Sequence, residues 1–109
     1  MQFIAAGQIA DFPAGRGRAV VLQGCQLAVF NVDGHLFAIE NRCPHQGAPL
    51  HDGELSGHTV SCRWHGWQLD VRTGDAPCGG PPSVRSYPVR VIGETVWVGF
   101  EALLGPRGT

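Results

Sequence analysis

Apolar positions along this chain come in short runs broken by Gly, Pro, Asn and Asp, and nowhere does a helical period persist. Runs of this length bounded by turn residues read as β-strands. The pattern predicts strands at Phe3 to Ala6, Ala19 to Leu22, Leu27 to Val32 and Leu36 to Ile39, with Asp33-Gly34 as a hairpin turn between the last two. Shorter candidates follow at Thr59 to Ser61 and Gln68 to Val71. Val84 to Ile92 and Thr95 to Phe100 alternate apolar and polar residues around Gly93-Glu94, a closing hairpin. Asp11 to Gly15 reads as a loop with room for one helical turn. Arg72 to Asp75 reads as a turn, and Ala76 to Pro82, rich in Pro and Gly, as a loop. The expected fold class is all-β, with both ends of the chain forming the scaffold and a loop-rich insert between them.

Length and charge narrow the classes. The chain has 109 residues, enough for one domain and too few for two. With 43% hydrophobic and 16% charged residues it can pack a core. Eight basic residues, all Arg, stand against nine acidic ones, for a net charge of −1. That balance argues against a nucleic-acid binder and against a polybasic membrane anchor. No apolar run approaches the roughly 20 residues of a membrane span, and the N-terminus carries no basic, apolar leader pattern. The expected setting is cytoplasmic, where four Cys suggest metal or redox chemistry rather than disulfides.

Cys and His cluster in the insert. Cys43-Pro44-His45 is followed, after a gap of about sixteen residues, by Cys62-Arg63-Trp64-His65. Each half places a thiol and an imidazole within a few residues, so one loop can present both to one ligand. Two Cys and two His complete either a tetrahedral zinc site or the ligand set of two sulfide-bridged irons. The close Cys-x-His spacing is tighter than the usual pairing in zinc sites. Nucleophilic catalysis by either Cys with its neighbouring His is formally open, but two matched pairs suit a four-ligand site better than one nucleophile.

These residues resemble the Rieske iron–sulfur family, whose pattern is Cys-x-His, a similar gap, then Cys-x-x-His. The resemblance extends to Gly47, Gly66-Trp67, the Thr73-Gly74 turn, Gly80-Pro81 and Tyr87-Pro88-Val89. It implies a Rieske fold: a small antiparallel β-sandwich scaffold with a cluster-binding insert, in one domain spanning 1–109. The scaffold would take about 1–40 and 83–109, and the insert about 41–82. It further implies one [2Fe–2S] cluster, with Cys43 and Cys62 on one iron and His45 and His65 on the other. His45 and His65, with Trp64 and Pro81 beside them, would form the electron exit and partner contact. Trp64 reads equally as packing between the loops.

The resemblance also implies a one-electron carrier and not an enzyme in its own right. Electrons would come from an NAD(P)H-dependent flavin reductase and pass to a terminal oxygenase. The alternative is the small subunit of an NADH-dependent nitrite reductase, docked on its large subunit; an alternative of another class is a zinc-stabilised structural module. High-potential members carry two extra Cys and a Ser near the cluster; here Ala48, Trp64 and Trp67 occupy those places. Fewer hydrogen bonds to sulfur imply a potential near the low end of the family range, roughly −150 mV. The near-zero net charge predicts docking that depends weakly on salt. Outside the motif, Cys25 reads as a buried small hydrophobe, and Cys78 sits in the Pro-rich loop, where a bond to Cys25 is disfavoured. His35, His51 and His58 read as solvated loop or turn residues. Trp67 reads as core, and Tyr87 and Trp97 as scaffold.

Overall fold

The protein is described by a computed structural model over residues 2–43, 47–63, 67–76 and 83–100. Among the described residues ten strands form three antiparallel sheets: β1 (Gln2–Gln8), β2 (Gly17–Leu22), β3 (Cys25–Val32), β4 (His35–Glu40), β5 (Glu54–Ser56), β6 (Thr59–Ser61), β7 (Gln68–Asp70), β8 (Ser86–Tyr87), β9 (Val89–Ile92) and β10 (Thr95–Phe100). Strand orders are β1-β10-β9, β2-β3-β4-β8 and β5-β6-β7. A 3₁₀ turn, Ile9–Asp11, follows β1. Among the described residues no helix is long and apolar enough to cross a membrane.

Two-residue hairpins set the register, and their backbone angles explain their residues. Gln23-Gly24 and Asp33-Gly34 hold positive φ at both positions (52° and 77°; 53° and 91°), the geometry that matches the twist of the flanking strands. They join Leu22 to Cys25 and Val32 to His35 in direct register. Gly57 and Gly93 lead two further two-residue turns, with φ of 59° and 63°. The Asp33-Gly34 and Gly93-Glu94 hairpins are those the sequence predicts. The Gln23-Gly24 turn is additional, and β3 starts at Cys25, two residues ahead of its apolar run, while β2 starts at Gly17, two residues ahead of its own.

The four-stranded sheet is the middle layer, and β3 shows why its sequence is continuously apolar. Leu27 and Val29 face one core with Phe12, Ala38, Val96 and Val98. Ala28, Phe30 and Val32 face the other, with Ile39, Leu50, Val60, Leu69 and both Cys43 and Cys62. A strand covered on both faces loses the apolar–polar alternation of a half-exposed one. The first core joins the middle sheet to β1-β10-β9. The second joins it to the loops and to β5-β6-β7.

The structure departs from the sequence pattern in three places. The run Val84 to Ile92 is not one strand: β8 pairs with β4, whereas β9 pairs with β10, and the chain changes sheet at Pro88. Proline has no N–H for a ladder, so a strand passing through it yields its register there. The insert also contains β5, paired Glu54 to Ser61 and Ser56 to Thr59. With Leu55 as its lone apolar residue, β5 has no periodicity to read. The one-turn helix is real but starts at Ile9 and ends at Asp11, the first residue of the expected loop.

Candidate metal centre

Cys43 and Cys62 reach the second core from separate loops. Both are free thiols, at 0% and 1% exposure, in one buried cluster under Ala48, Leu50 and Val60. The two loops close in the same way. The Cys43 N–H donates to the Ala48 carbonyl at 2.7 Å, and the Cys62 N–H donates to the Trp67 carbonyl at 2.7 Å. Each bond spans five residues, so each Cys stands at the mouth of a short closed loop. In the first, the Gly47 N–H also donates back to the Cys43 carbonyl at 2.7 Å, with Gly47 at φ 76°. That left-handed geometry suits glycine.

Asn41 holds the first loop from behind. It is 8% exposed. Its Oδ1 accepts the Leu50 N–H at 2.7 Å and the His51 N–H at 2.8 Å. Those two donors fix the amide orientation, so Nδ2 must donate to His51 Nδ1, 3.0 Å away. His51 Nδ1 is then an acceptor, and the ring's remaining proton sits on Nε2. The Asn41 backbone N–H is itself tied to the Gln26 carbonyl at 2.9 Å. His51 is therefore half-buried and anchored rather than a solvated loop residue. Gly17 completes the clamp: a Cβ there would stand 2.5 Å from both the His51 carbonyl and the Phe30 ring, so only glycine permits this approach.

The second loop is framed by Trp67, which packs partly buried against the core that holds both thiols. This agrees with its reading as core. His58 sits in a turn, as expected, with its ring edge-on to Phe37 at 5.5 Å. Cys25 is half-buried at the start of β3 against the first core, rather than fully buried. Tyr87 packs on Phe100 with ring centroids 5.2 Å apart, a scaffold contact. Its hydroxyl is pushed above its ordinary pKa, chiefly by desolvation. His45, Trp64, His65, Cys78 and Pro81 lie outside the described residues.

The turn after β7 fixes the start of the third loop. Asp70 accepts the Arg72 backbone N–H at 2.8 Å and pairs with its guanidinium at 2.8 Å. The Asp70 carbonyl receives Gly74 N–H at 2.7 Å, and the Gly74 carbonyl receives Val84 N–H at 2.8 Å. Hydrogen bonding from Arg72 is the main cause that holds the Asp70 carboxyl below its ordinary 3.8. Such a group contributes stability that is present above its ordinary value and lost as pH falls through the folded value. The Arg72→Gln variant should therefore be slightly less stable than the parent at pH 7, and the two curves should converge in acid. Thermal melts from pH 7 to pH 2 test this; a gap that persists at the acid end would assign the loss to something other than Asp70.

The chemistry of the two thiols suits a metal. They are buried, unpaired with each other, and held by backbone bonds that leave sulfur as the free donor. Thiolate favours soft or borderline ions and iron–sulfur clusters. His45 and His65 lie within the two closed loops by sequence position, so each loop can contribute one sulfur and one imidazole.

Known proteins share the sequence pattern and the fold of this chain. The family model for the Rieske [2Fe-2S] domain matches residues 2–89. The chain is 33% identical over 98 residues to the ferredoxin component of a naphthalene 1,2-dioxygenase system from Pseudomonas aeruginosa, covering 89% of this chain and 94% of the relative. It is 41% identical over 85 residues to the ferredoxin component of a p-cumate 2,3-dioxygenase system from Pseudomonas putida, covering 74% and 70%. Among solved structures, a putative NADH-dependent nitrite reductase small subunit from Mycobacterium tuberculosis superposes with a TM-score of 0.85 at 27% identity, covering 93% and 96%. A chain in a complex of reduced oxygenase and oxidized ferredoxin of carbazole 1,9a-dioxygenase superposes with a TM-score of 0.77 at 31% identity, covering 88% and 91%.

Proposed function

The chain belongs to the Rieske [2Fe–2S] domain family, and from that premise we propose that it is the electron-carrying ferredoxin of a multicomponent oxygenase system. The observation that carries the reading is the pair of buried thiols on two identically closed loops, in a chain whose relatives are ferredoxin components of dioxygenase systems. It moves electrons and does not itself transform a substrate. The family match and these relatives set aside the zinc-module alternative.

One [2Fe–2S] cluster, when bound, supplies a centre that accepts and gives up one electron. Cys43 and Cys62 would hold one iron, and His45 and His65 the other. Two thiolates with neutral imidazoles leave the oxidised centre near zero charge, so it takes up an electron more readily than a four-thiolate centre. The chain's own contribution is positional. Asn41 and Gly17 fix the first loop, Trp67 shields the second, and both thiols are kept from water. The imidazole edges of His45 and His65, with Trp64 and Pro81 beside them, would be the point of partner contact. The domain organisation follows: one unit, with scaffold 1–40 and 83–109 and insert 41–82. The small β5-β6-β7 sheet within the insert supports that division.

The partners on this reading are an NAD(P)H-dependent flavin reductase as donor and a terminal oxygenase as acceptor, working in the cytoplasm. The oxygenase–ferredoxin complex among the similar structures supports the acceptor side. A second reading, the small subunit of a nitrite reductase, is favoured by the close superposition on the mycobacterial protein. Purified protein, with iron, sulfide and zinc assayed on the same sample, tests the centre by electron paramagnetic resonance. The oxidised form should be silent. The dithionite-reduced form should give a rhombic signal whose average g lies below that of four-cysteine clusters. A reconstituted protein that binds zinc and gives no signal in either state would overturn the carrier function.

A further inference from the structure

Cys43 and Cys62 belong to loops that are distant in sequence, yet on the proposed reading both sulfurs hold one iron. Burial in a common core does not by itself set the spacing of two loops. A continuous run of backbone contacts does so here. The Cys43 N–H is bonded to the Ala48 carbonyl at 2.7 Å, which closes the first loop two residues before Leu50. The Leu50 N–H is seated on Asn41 Oδ1 at 2.7 Å, and the Leu50 carbonyl accepts the Gly53 N–H at 3.0 Å. Gly53 lies against the Ser61 carbonyl, and Ser61 precedes Cys62 in the chain.

The approach at Gly53 is too close for any side chain. A Cβ there would stand 2.4 Å from the Ser61 carbonyl oxygen, 3.0 Å from the Val60 side chain and 3.2 Å from the Leu50 carbonyl oxygen. Carbon–oxygen contacts in sheets lie at about 3.3 Å or more, so the two backbones would have to part by roughly 1 Å. Gly53 is not among the glycines with positive φ. Its φ is open to any residue, and the demand for glycine comes from this contact. Neither side can yield cheaply. Leu50 and Val60 are fully buried in the core that holds both thiols, and Ser61 is paired to Glu54 on one side and Gln68 on the other.

We propose that Gly53 is a positioning residue of the redox centre: its contact with the Ser61 carbonyl sets the separation of the two thiol-bearing loops, and through them the geometry of the sulfur ligands. This deepens the electron-carrier reading and rests on it. Gly53 is not itself a ligand. It acts through Leu50 on the Cys43 side and through Ser61 on the Cys62 side. Groups that orient the ligands of a metal centre tune both its electronic properties and its retention. A wedge at Gly53 should therefore be read at the cluster and not only in the stability of the fold.

The test compares the cluster-bearing parent with Gly53→Ala and Gly7→Ala. In Gly53→Ala the g values of the dithionite-reduced signal should move. Bleaching of the oxidised protein by excess EDTA should also be roughly 10-fold faster than in the parent. Gly7→Ala is the control for strain alone. Gly7 has φ 149°, and a Cβ there would meet Asp11 Oδ2 at 3.0 Å and the Phe12 ring at 3.4 Å, beside the first core, which holds neither Cys43 nor Cys62. It should lower the urea midpoint and keep the parent's g values. A folded, cluster-bearing Gly53→Ala with the parent's g values would overturn the proposal, whatever its stability or bleaching rate. So would an equal shift of g values in Gly7→Ala. Should Gly53→Ala fail to fold, one glycine inserted after Asp52 loosens the same link without adding a side chain. That variant should broaden the g features, and an unaltered signal from it would overturn the proposal. Absence of the iron–sulfur signal in the parent would instead overturn the carrier reading, so the two failures are distinguishable.

Discussion

Replacing Cys62 with serine should remove the visible absorption of the purified protein and unfold one half of it while sparing the other. Cys62 is 1% exposed in the core shared with Cys43, Val60 and Leu69. Serine keeps the shape but substitutes a hard oxygen donor for a soft sulfur, and leaves a hydroxyl in an apolar site. Metal binding at such a site is also folding energy, because the unfolded chain has no preformed ligand set. The loss should therefore spread to the loop closed by Cys62 N–H and the Trp67 carbonyl, and to β6 and β7. The first core, with Phe12, Leu27, Val29, Val96 and Val98, contains neither Cys43 nor Cys62. Amide hydrogen exchange should accelerate across β6 and β7 and remain slow in β1 and β10. Cys25→Ser, outside the second core, should leave the spectrum intact. A Cys62→Ser protein with the parent's spectrum would remove Cys62 from the ligand set.

Asn41→Leu should be the most damaging substitution outside the thiols. One side chain satisfies the buried N–H groups of Leu50 and His51. Leucine, of similar size, leaves both donors without an acceptor. Each orphaned buried donor costs about 1–3 kcal/mol, for a total near 2–5 kcal/mol after relaxation. Domains of this size are stable by only about 5–15 kcal/mol. Asn41→Asp separates the roles. It keeps the Oδ1 acceptor for both backbone donors but adds a largely buried charge and turns an acceptor oxygen toward His51 Nδ1, which must then carry the proton of that bond. Urea denaturation should place Asn41→Asp between the parent and Asn41→Leu. Equal midpoints for the two variants would mean that the backbone N–H groups find other acceptors and that Asn41 is not the clamp.

Most of the scaffold was legible because it is local. Asp33-Gly34 and Gly93-Glu94 announce their turns by residue type, and the runs they join are long enough to show. The family was legible for the same reason: Cys43-Pro44-His45 and Cys62-Arg63-Trp64-His65 carry its motif at fixed spacing. What stayed hidden depends on distant partners. Asn41 is one polar residue before a loop, and its role exists only once Leu50, His51 and Gln26 surround it. Gly17 looks like an ordinary turn residue until the His51 carbonyl lies against it. The change of sheet at Pro88 needed the knowledge that β4 and β10 offer separate edges on either side of it. β5 forms because β6 pairs with it, not because Glu54-Leu55-Ser56 prefers to be a strand.

The clamp on the third loop carries a consequence of its own. Gly74 and Val84 are locked together by a backbone bond of 2.8 Å, and a Cβ on Gly74 would collide with the Val84 carbonyl. Glu40 and Arg85 exchange two further bonds just beyond, at 2.9 and 2.7 Å. Both stems are thus anchored by the scaffold, whatever stands between them. For a segment with fixed ends, doubling the length adds only about 0.6 kcal/mol of closure entropy. Lengthening the chain between Gly74 and Val84 should therefore cost little stability. Gly74 itself admits no such change, because the Val84 carbonyl occupies the place of its Cβ.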